Sequence, residues 1–163
     1  MQKTLPLKVK DPRNFTISCT IGNCEIGKTL VDLGANINLM PLSVLKKIGG
    51  LQVKYTIMIL QMVDKSTKNP YGVMEDVVAQ IDKLKFLVDF VVMEIGEDVE
   101  IPLILGKPFM KTTKVVINVD EGMLTLKDQD EEVTFNVFND VQPIQGKQTS
   151  LKITYEVLPE SSI

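Results

Sequence analysis

Short apolar runs separated by turn-forming residues are the feature that most restricts the fold of this chain. Residues 15–21 and 24–31 are rich in β-branched and apolar side chains, and only Gly22 and Asn23 separate them. A Gly-Asn pair between two such runs is typical of a two-residue hairpin turn. Residues 73–81 and 84–93 form a second, longer pair of runs. The pattern predicts an all-β fold with little helix.

The remaining elements are predicted to be short. Pro41 at the start, apolar residues at 42, 45 and 48, and two glycines at the end predict a helix over residues 41–48. A brief helical turn is expected over residues 108–113. Further strands are expected over residues 53–62, 103–105, 115–119, 123–126 and 133–138.

The length of the chain favours one domain. Its 163 residues suffice for a real hydrophobic core. We expect a lead-in segment over residues 1–12 and the domain itself over residues 13–127. Residues 128–163 are expected to hold one additional strand and then a flexible linker, because the last stretch mixes Pro, Gln, Ser and Lys.

An acidic residue ends the second apolar run. Asp32 follows Leu30 and Val31 and enters a turn made of Leu33, Gly34 and Ala35. A carboxylate is costly to bury without a partner, and an acid in such a place often has a pKa tuned for chemistry. An ordinary Asp-Gly turn at a strand end explains the same four residues. The tetrapeptide alone leaves both interpretations open.

The wider segment around Asp32 resembles the active-site segment of retropepsin-like aspartic proteases. Their signature is an apolar pair, Asp, Thr or Ser, and then Gly-Ala, and residues 30–35 here read LVDLGA. Residues 102–109, PLILGKPF, resemble the apolar strand and glycine that precede the short helix of that fold. The similarity is closest to proteases of plant long-terminal-repeat retrotransposon polyproteins of the Ty3/gypsy type. In these, segments similar to DLGANINLMPLSV, FLVDFVVMEI and IPLILGKPFM follow one another in this order.

The resemblance implies a fold and an activity. The fold would be a retropepsin-like single lobe, a small closed β-barrel with one or two short helices. The activity would be that of an aspartic endopeptidase acting on a peptide or polyprotein, with no cofactor and no metal. Two close carboxylates share one proton, so that one accepts a proton from water while the other polarises the scissile carbonyl. Such a pair titrates as a unit.

The chain carries one motif of this kind. Asp120, Glu121 and Gly122 have a similar outline, but their neighbours predict a hairpin turn. The resemblance therefore implies a homodimer in which each copy contributes Asp32 at the two-fold axis. Leu33, Gly34 and Ala35 would complete the active-site loop.

The resemblance also implies a β-hairpin, called the flap, that closes over the substrate. Residues 62–72 lie where the flap is expected, and a plain exposed hairpin tip is the alternative. A peptide substrate would add its backbone as an extended strand. The residues expected in the flap and the substrate pocket are Met62, Val63, Asp64, Ile104, Leu105 and Gly106. Ile104 and Leu105 would serve equally well as core residues alone.

Leu33 departs from the pattern of that family. Thr or Ser at this position normally bonds across the dimer to the backbone of the partner, whereas leucine neither donates nor accepts. An amide left buried without a partner would cost about 1–3 kcal/mol per site, unless two Leu33 side chains pack on each other. The alternative function is therefore a catalytically inactive retropepsin-like domain used for dimerisation or peptide binding.

Composition removes several other classes of protein. The sequence contains no histidine, which excludes Ser-His-Asp and Cys-His catalysis within one chain and most zinc sites. A net charge of −3 with Arg13 as the single arginine disfavours nucleic-acid binding. No apolar run approaches the roughly 18 residues of a membrane span. Because residues 1–6 lack a signal-peptide core, a cytoplasmic, intracellular location is expected.

Two further patterns are interpreted as structural. Residues 22–29 match the phosphate-loop pattern G-x-x-x-x-G-K-T, but that motif needs a helix after Lys-Thr, and residues 29–31 predict a strand. Cys19 and Cys24 would lie diagonally across the first hairpin, about 7–8 Å apart. That separation suits a disulfide poorly, so we expect two reduced thiols.

Overall fold

The computed structural model describes residues 14–61, 64–95, 102–118, 120–136 and 156–158, and for Asn14, Lys28 and residues 156–158 it describes only the backbone. The elements in chain order are β1 (Asn14–Ile21), β2 (Cys24–Asp32), β3 (Leu39–Pro41), α1 (Leu42–Ile48), β4 (Ile59–Gln61), β5 (Thr67–Lys68), β6 (Gly72–Ile81), β7 (Leu84–Met93), β8 (Leu103–Leu105), α2 (Lys107–Thr113), β9 (Val116–Asn118), β10 (Met123–Asp128), β11 (Glu131–Asn136) and β12 (Glu156–Leu158).

Six strands close into a barrel in the order β1-β2-β8-β3-β7-β6. The ring closes where Thr20 and Ile21 of β1 pair with Gln80 and Ala79 of β6. Two contacts in the ring are parallel, β2 with β8 and β3 with β7, and the others are antiparallel. The predicted all-β fold, a small closed barrel with two short helices, is thus the observed one.

The first hairpin lies where it was predicted, and its register places Cys19 and Cys24 diagonally, as expected. Ile21 pairs with Cys24 and Cys19 pairs with Ile26 around a turn in which Gly22 has φ +62°, a conformation that glycine adopts without strain. Both cysteines are free thiols, as predicted. Cys19 is buried in the barrel, and this burial raises the pKa of its thiol to about 12.

Strand β2 runs through residues 27–29, so the phosphate-loop pattern lies in a strand and not at the start of a helix.

Two apolar clusters fill the molecule, and β2 contributes to both because its side chains alternate between its faces. The barrel cluster occupies the interior, where Phe86 and Phe109 meet edge to face with ring centroids 5.8 Å apart. The second cluster consists of Leu30, Ala35, Ile37, Leu39, Leu60, Val91, Met93 and Ile104. It is the second cluster that adjoins the segment following β2.

Both helices were predicted, and both have recognisable ends. Pro41 precedes α1, which buries Leu42 and Leu45, and Gly49 follows it with φ +69°. Helix α2 has Pro108 in its first turn and ends at Lys114 in the left-handed conformation. No helix among the described ranges has both the length and the apolar character needed to cross a bilayer.

The expected strand over residues 53–62 is wrong in extent. Over residues 53–61, the part of this range that the structure describes, it has only β4 and a single bridge between Lys54 and Val73. Tyr55 and Ile57 are 86% and 57% exposed, so their apolar character does not mark a buried strand face. The expected strand over residues 133–138 is observed as β11, which begins two residues earlier, and residues 137–138 lie outside the described part.

Candidate active site

The end of β2 presents Asp32 on a tight turn. Asp32 is the last residue of the strand, and its side chain is partly exposed. Its Oδ1 accepts a hydrogen bond from the backbone N–H of Gly34 at 2.8 Å, and its backbone carbonyl accepts one from Ala35 N–H at 3.2 Å. The carboxylate is therefore held by its own turn while remaining accessible from outside the barrel.

A distant segment holds this turn from the other side. Strand β8 runs parallel to β2 with Val31 opposite Leu105, which brings Gly106 and Lys107 beside the turn. Lys107 N–H donates to the carbonyl of Ala35 at 2.9 Å. A Cβ atom on Gly106 would lie 2.3 Å from the Ile37 carbonyl oxygen and 2.7 Å from that of Ala35. Only glycine permits this close approach of two backbones.

Asn38 completes the junction, although sequence reasoning did not single it out. Its side chain is buried, its Oδ1 accepts from Gly106 N–H at 2.7 Å, and its Nδ2 donates to the Asp89 carbonyl at 3.0 Å. Because both the oxygen and the nitrogen of this amide have a hydrogen-bond partner, the burial of the polar side chain is compensated. The available signal was a single amide inside the apolar run Ile37–Met40.

The structure gathers most of the expected site residues around this junction. Gly34 is exposed, whereas Ala35 and Gly106 are buried at the contact between the two segments. Leu33 is partly buried and packs against the barrel cluster of its own chain. Ile104 belongs to the second cluster with Ala35, and Leu105 is completely buried in the barrel cluster. In the single chain, both of these residues are thus core residues.

The expected flap region contains a hairpin. Strands β4 and β5 pair through Leu60 with Lys68 and Gln61 with Thr67. Asp64 lies in the exposed tip, where hydrogen bonds from the Ser66 hydroxyl and backbone N–H lower the pKa of its carboxyl. Met62 and Val63 lie outside the described residues. Leu60 is completely buried in the second cluster beside Ala35 and Ile104, so the base of the hairpin is packed against the site.

The other acidic turn is separate from the site. Asp120, Glu121 and Gly122 connect β9 to β10 in a three-stranded sheet that is not part of the barrel. The predicted hairpin turn is therefore confirmed there. Within the described ranges, no three His, Cys, Asp or Glu side chains are grouped so that they could hold a metal ion.

Comparison with known proteins identifies the fold. No protein-family model matches the sequence, and no curated protein matches it. Among solved structures, the chain is similar to the crystal structure of the retroviral protease-like domain of Ddi1 from Leishmania major. The TM-score is 0.56, and the match covers 79% of this chain and 96% of that one at 19% identity. The chain has the fold of a retroviral protease-like domain.

The junction between the Asp32 turn and the Gly106 turn lies within this retropepsin-like fold. Along the chain, the Asp32 turn is followed by the β4–β5 hairpin and then by the Gly106 turn. At 19% identity the structural likeness concerns the fold. What the site does chemically therefore has to be argued from its own residues.

Proposed function

We propose that this chain is a retropepsin-like aspartic endopeptidase that works as a homodimer. The observation that carries the proposal is the Asp32 carboxylate, partly exposed at the end of β2 and held by Gly34 N–H, in a retroviral protease-like fold. A domain that only binds has no need of an acid whose turn is secured by hydrogen bonds from a second segment. The sequence contains no histidine that could supply another base.

In the proposed mechanism, Asp32 of each copy contributes one carboxylate. Two carboxylates at a two-fold axis share one proton, because two like charges a few Å apart ionise together only at high cost. The ionised member takes a proton from the attacking water, and the protonated member donates a hydrogen bond to the scissile carbonyl. The role of this chain is to fix the position of Asp32, through Gly34 on one side and the Gly106 junction on the other.

The proposed substrate is an extended peptide within a polyprotein, as in retrotransposons of the plant Ty3/gypsy type. The support is the order of the three sequence segments around residues 32–44, 86–95 and 101–110. The β4–β5 hairpin is the proposed flap, and the second cluster, which includes Leu60, is the proposed apolar wall, with Ile104 as its member from β8. An extended peptide is recognised chiefly through its backbone, with side chains at alternate positions entering pockets.

Leu33 decides between this proposal and its alternative. Its side chain packs on the barrel cluster, which holds the turn by apolar contact within one chain rather than by a hydroxyl group bonded to the partner. The same absence of a hydroxyl favours the second candidate function, a retropepsin-like dimerisation or peptide-binding domain without catalysis. Loss of positioning is expensive in rate even when the fold is intact.

The test is cleavage of a mixed peptide library between pH 4 and 7. Wild type is compared with Asp32→Asn and with Asp120→Asn, a matched control in the turn of the separate three-stranded sheet. We expect cuts by wild type and by the control and none by Asp32→Asn, with dimers seen by sedimentation for all three. Absence of cleavage by a dimeric wild type would overturn the endopeptidase and leave the binding domain. Cleavage by Asp32→Asn would exclude Asp32 as the catalytic residue.

A further inference from the structure

Strand β4 is paired on both of its edges. On one edge, Leu60 and Gln61 pair with Lys68 and Thr67 of β5. On the other edge, Ile59, Leu60 and Gln61 pair antiparallel with Leu158, Val157 and Glu156 of β12. The three strands form a sheet of their own, in the order β12-β4-β5. The edge of the hairpin that would be open in a simple two-stranded flap is therefore occupied by a segment of the same chain.

The occupied strand is part of the candidate site. Leu60, in the middle of β4, is completely buried in the second cluster, which also contains Ala35 of the Asp32 turn and Ile104. Any backbone that pairs with β4 is consequently added to a sheet whose central strand is packed against the site. An exposed strand edge offers a row of N–H and C=O groups, and an extended peptide binds by satisfying them.

We propose that β12 is an intramolecular ligand of β4, and that it competes with peptides for the same strand edge. The identity of the competing ligand, an extended peptide substrate, rests on the proposed function. The competition itself follows from the pairing, because a strand has two edges and β5 and β12 occupy both edges of β4. A peptide pairs with β4 only after β12 has left.

The tether makes this competition effective. A segment that belongs to the same chain as its binding site meets that site intramolecularly, so its effective concentration does not fall when the protein is diluted. The apparent affinity for an added ligand falls in proportion to the fraction of molecules that are open. If β12 occupies β4 nine-tenths of the time, a peptide binds about tenfold more weakly than it would to the open edge.

The experiment measures peptide binding in the Asp32→Asn background, so that no peptide is cleaved. The released variant carries Glu156→Pro and Val157→Pro, since proline removes the backbone N–H and adjacent residues cover both alternating positions of an antiparallel ladder. The control carries Ser161→Pro and Ser162→Pro, beyond the paired residues. The probe is a synthetic peptide with the sequence of residues 153–160, ITYEVLPE.

We expect the released variant to bind the probe about tenfold more tightly than the control does. We also expect amide hydrogen exchange at residues 59–61 to be faster in the released variant and slow again when the probe is added. Equal dissociation constants in the two variants, or unchanged exchange at β4, would overturn the proposal.

A second measurement leaves β12 unchanged and so does not depend on how the proline variant folds. Excess probe is added to the Asp32→Asn protein, and the backbone resonances of residues 156–158 are followed. Displacement of these resonances is expected, and saturation of the protein by the probe without displacement would contradict competition. Neither measurement depends on catalysis. A protein that does not cleave peptides can still show competition between β12 and the probe, and a protein that does cleave them can fail to show it.

Discussion

The side-chain carbonyl of Asn38 accepts a hydrogen bond from the backbone N–H of Gly106, with 2.7 Å between Oδ1 and N, across 68 residues of chain. The same amide donates to the carbonyl of Asp89 on β7. One side chain thus joins the segment after Asp32, the turn after β8 and the barrel strand beside β3. It links the proposed catalytic turn to the barrel.

Replacing Asn38 with alanine should lower the stability of the protein. The change leaves the Gly106 N–H and the Asp89 carbonyl without their partner, and a buried unsatisfied group costs about 1–3 kcal/mol. We expect a decrease of that size in the free energy of unfolding measured by urea denaturation. Asn69→Ala at an exposed position is the control and should stay within about 0.5 kcal/mol of wild type. Equal effects of the two substitutions would remove Asn38 from the junction.

Gly106→Ala tests the close approach of the two segments. The added Cβ would meet the carbonyl oxygens of Ile37 and Ala35, both backbone atoms that cannot turn aside. We expect a loss of about 1–3 kcal/mol, as for other overpacked positions, and a loss of cleavage larger than the loss of fold, since the Asp32 turn would shift. Gly27→Ala is the matched control, because no atom lies within 4 Å of its added Cβ. Thermal unfolding and peptide cleavage on the same samples would separate the two effects.

The local parts of the structure could be predicted from sequence, and the non-local parts only through resemblance. Gly22 with Asn23 is a sufficient signal for a hairpin, and the register of β1 and β2 beside the turn followed from it, whereas the register shift between Ile17 and Cys19 was not predicted. The partner of Asn38 is not encoded near Asn38, so the residue was missed. Strand β12 was missed although residues 151–158, LKITYEVL, alternate apolar and polar side chains as strands do. Its pairing with β4 could not be predicted, because no local feature specifies which distant strand it joins.

In the segment before β4, strand-forming residue types do not predict burial. Tyr55 and Ile57 are residue types that favour strands, yet they face solvent. The residue types show that the side chains of a segment are suited to burial, whereas the packing of the rest of the chain decides whether they are buried.

Thr29→Val should stabilise the barrel. The Thr29 side chain is completely buried in β2, and its hydroxyl has no hydrogen-bond partner among the described residues. Valine has nearly the same shape and removes the desolvated hydroxyl, so we expect a gain of about 1 kcal/mol. Thr113→Val is the contrasting variant, since that hydroxyl donates to the Phe109 carbonyl at 3.1 Å. The prediction is wrong if Thr29→Val does not raise the midpoint of chemical denaturation relative to Thr113→Val.

The two thiols should differ in reactivity. Cys19 is buried, and burial raises its pKa to about 12 from 9.0, so its reactive thiolate is scarce in the folded protein. Cys24 is partly exposed. At pH 8 we expect iodoacetamide to modify Cys24 in the folded protein and Cys19 only after unfolding. Mass spectrometry of peptides from native and urea-treated samples distinguishes the sites, and early modification of Cys19 in native protein would contradict its burial.

The contact between the Asp32 turn and the Gly106 turn has a consequence during synthesis. A ribosome makes Asn38 long before Gly106, and at about 5–20 residues per second the intervening 68 residues take roughly 3–14 s. Until then β8 is missing from between β2 and β3, and the Asp32 turn lacks the Lys107 N–H group that donates to its Ala35 carbonyl. A nascent chain that ends before residue 106 therefore carries the proposed catalytic aspartate without a working site. Under the proposed function, such an incomplete chain would not cleave the polypeptide segments made before it.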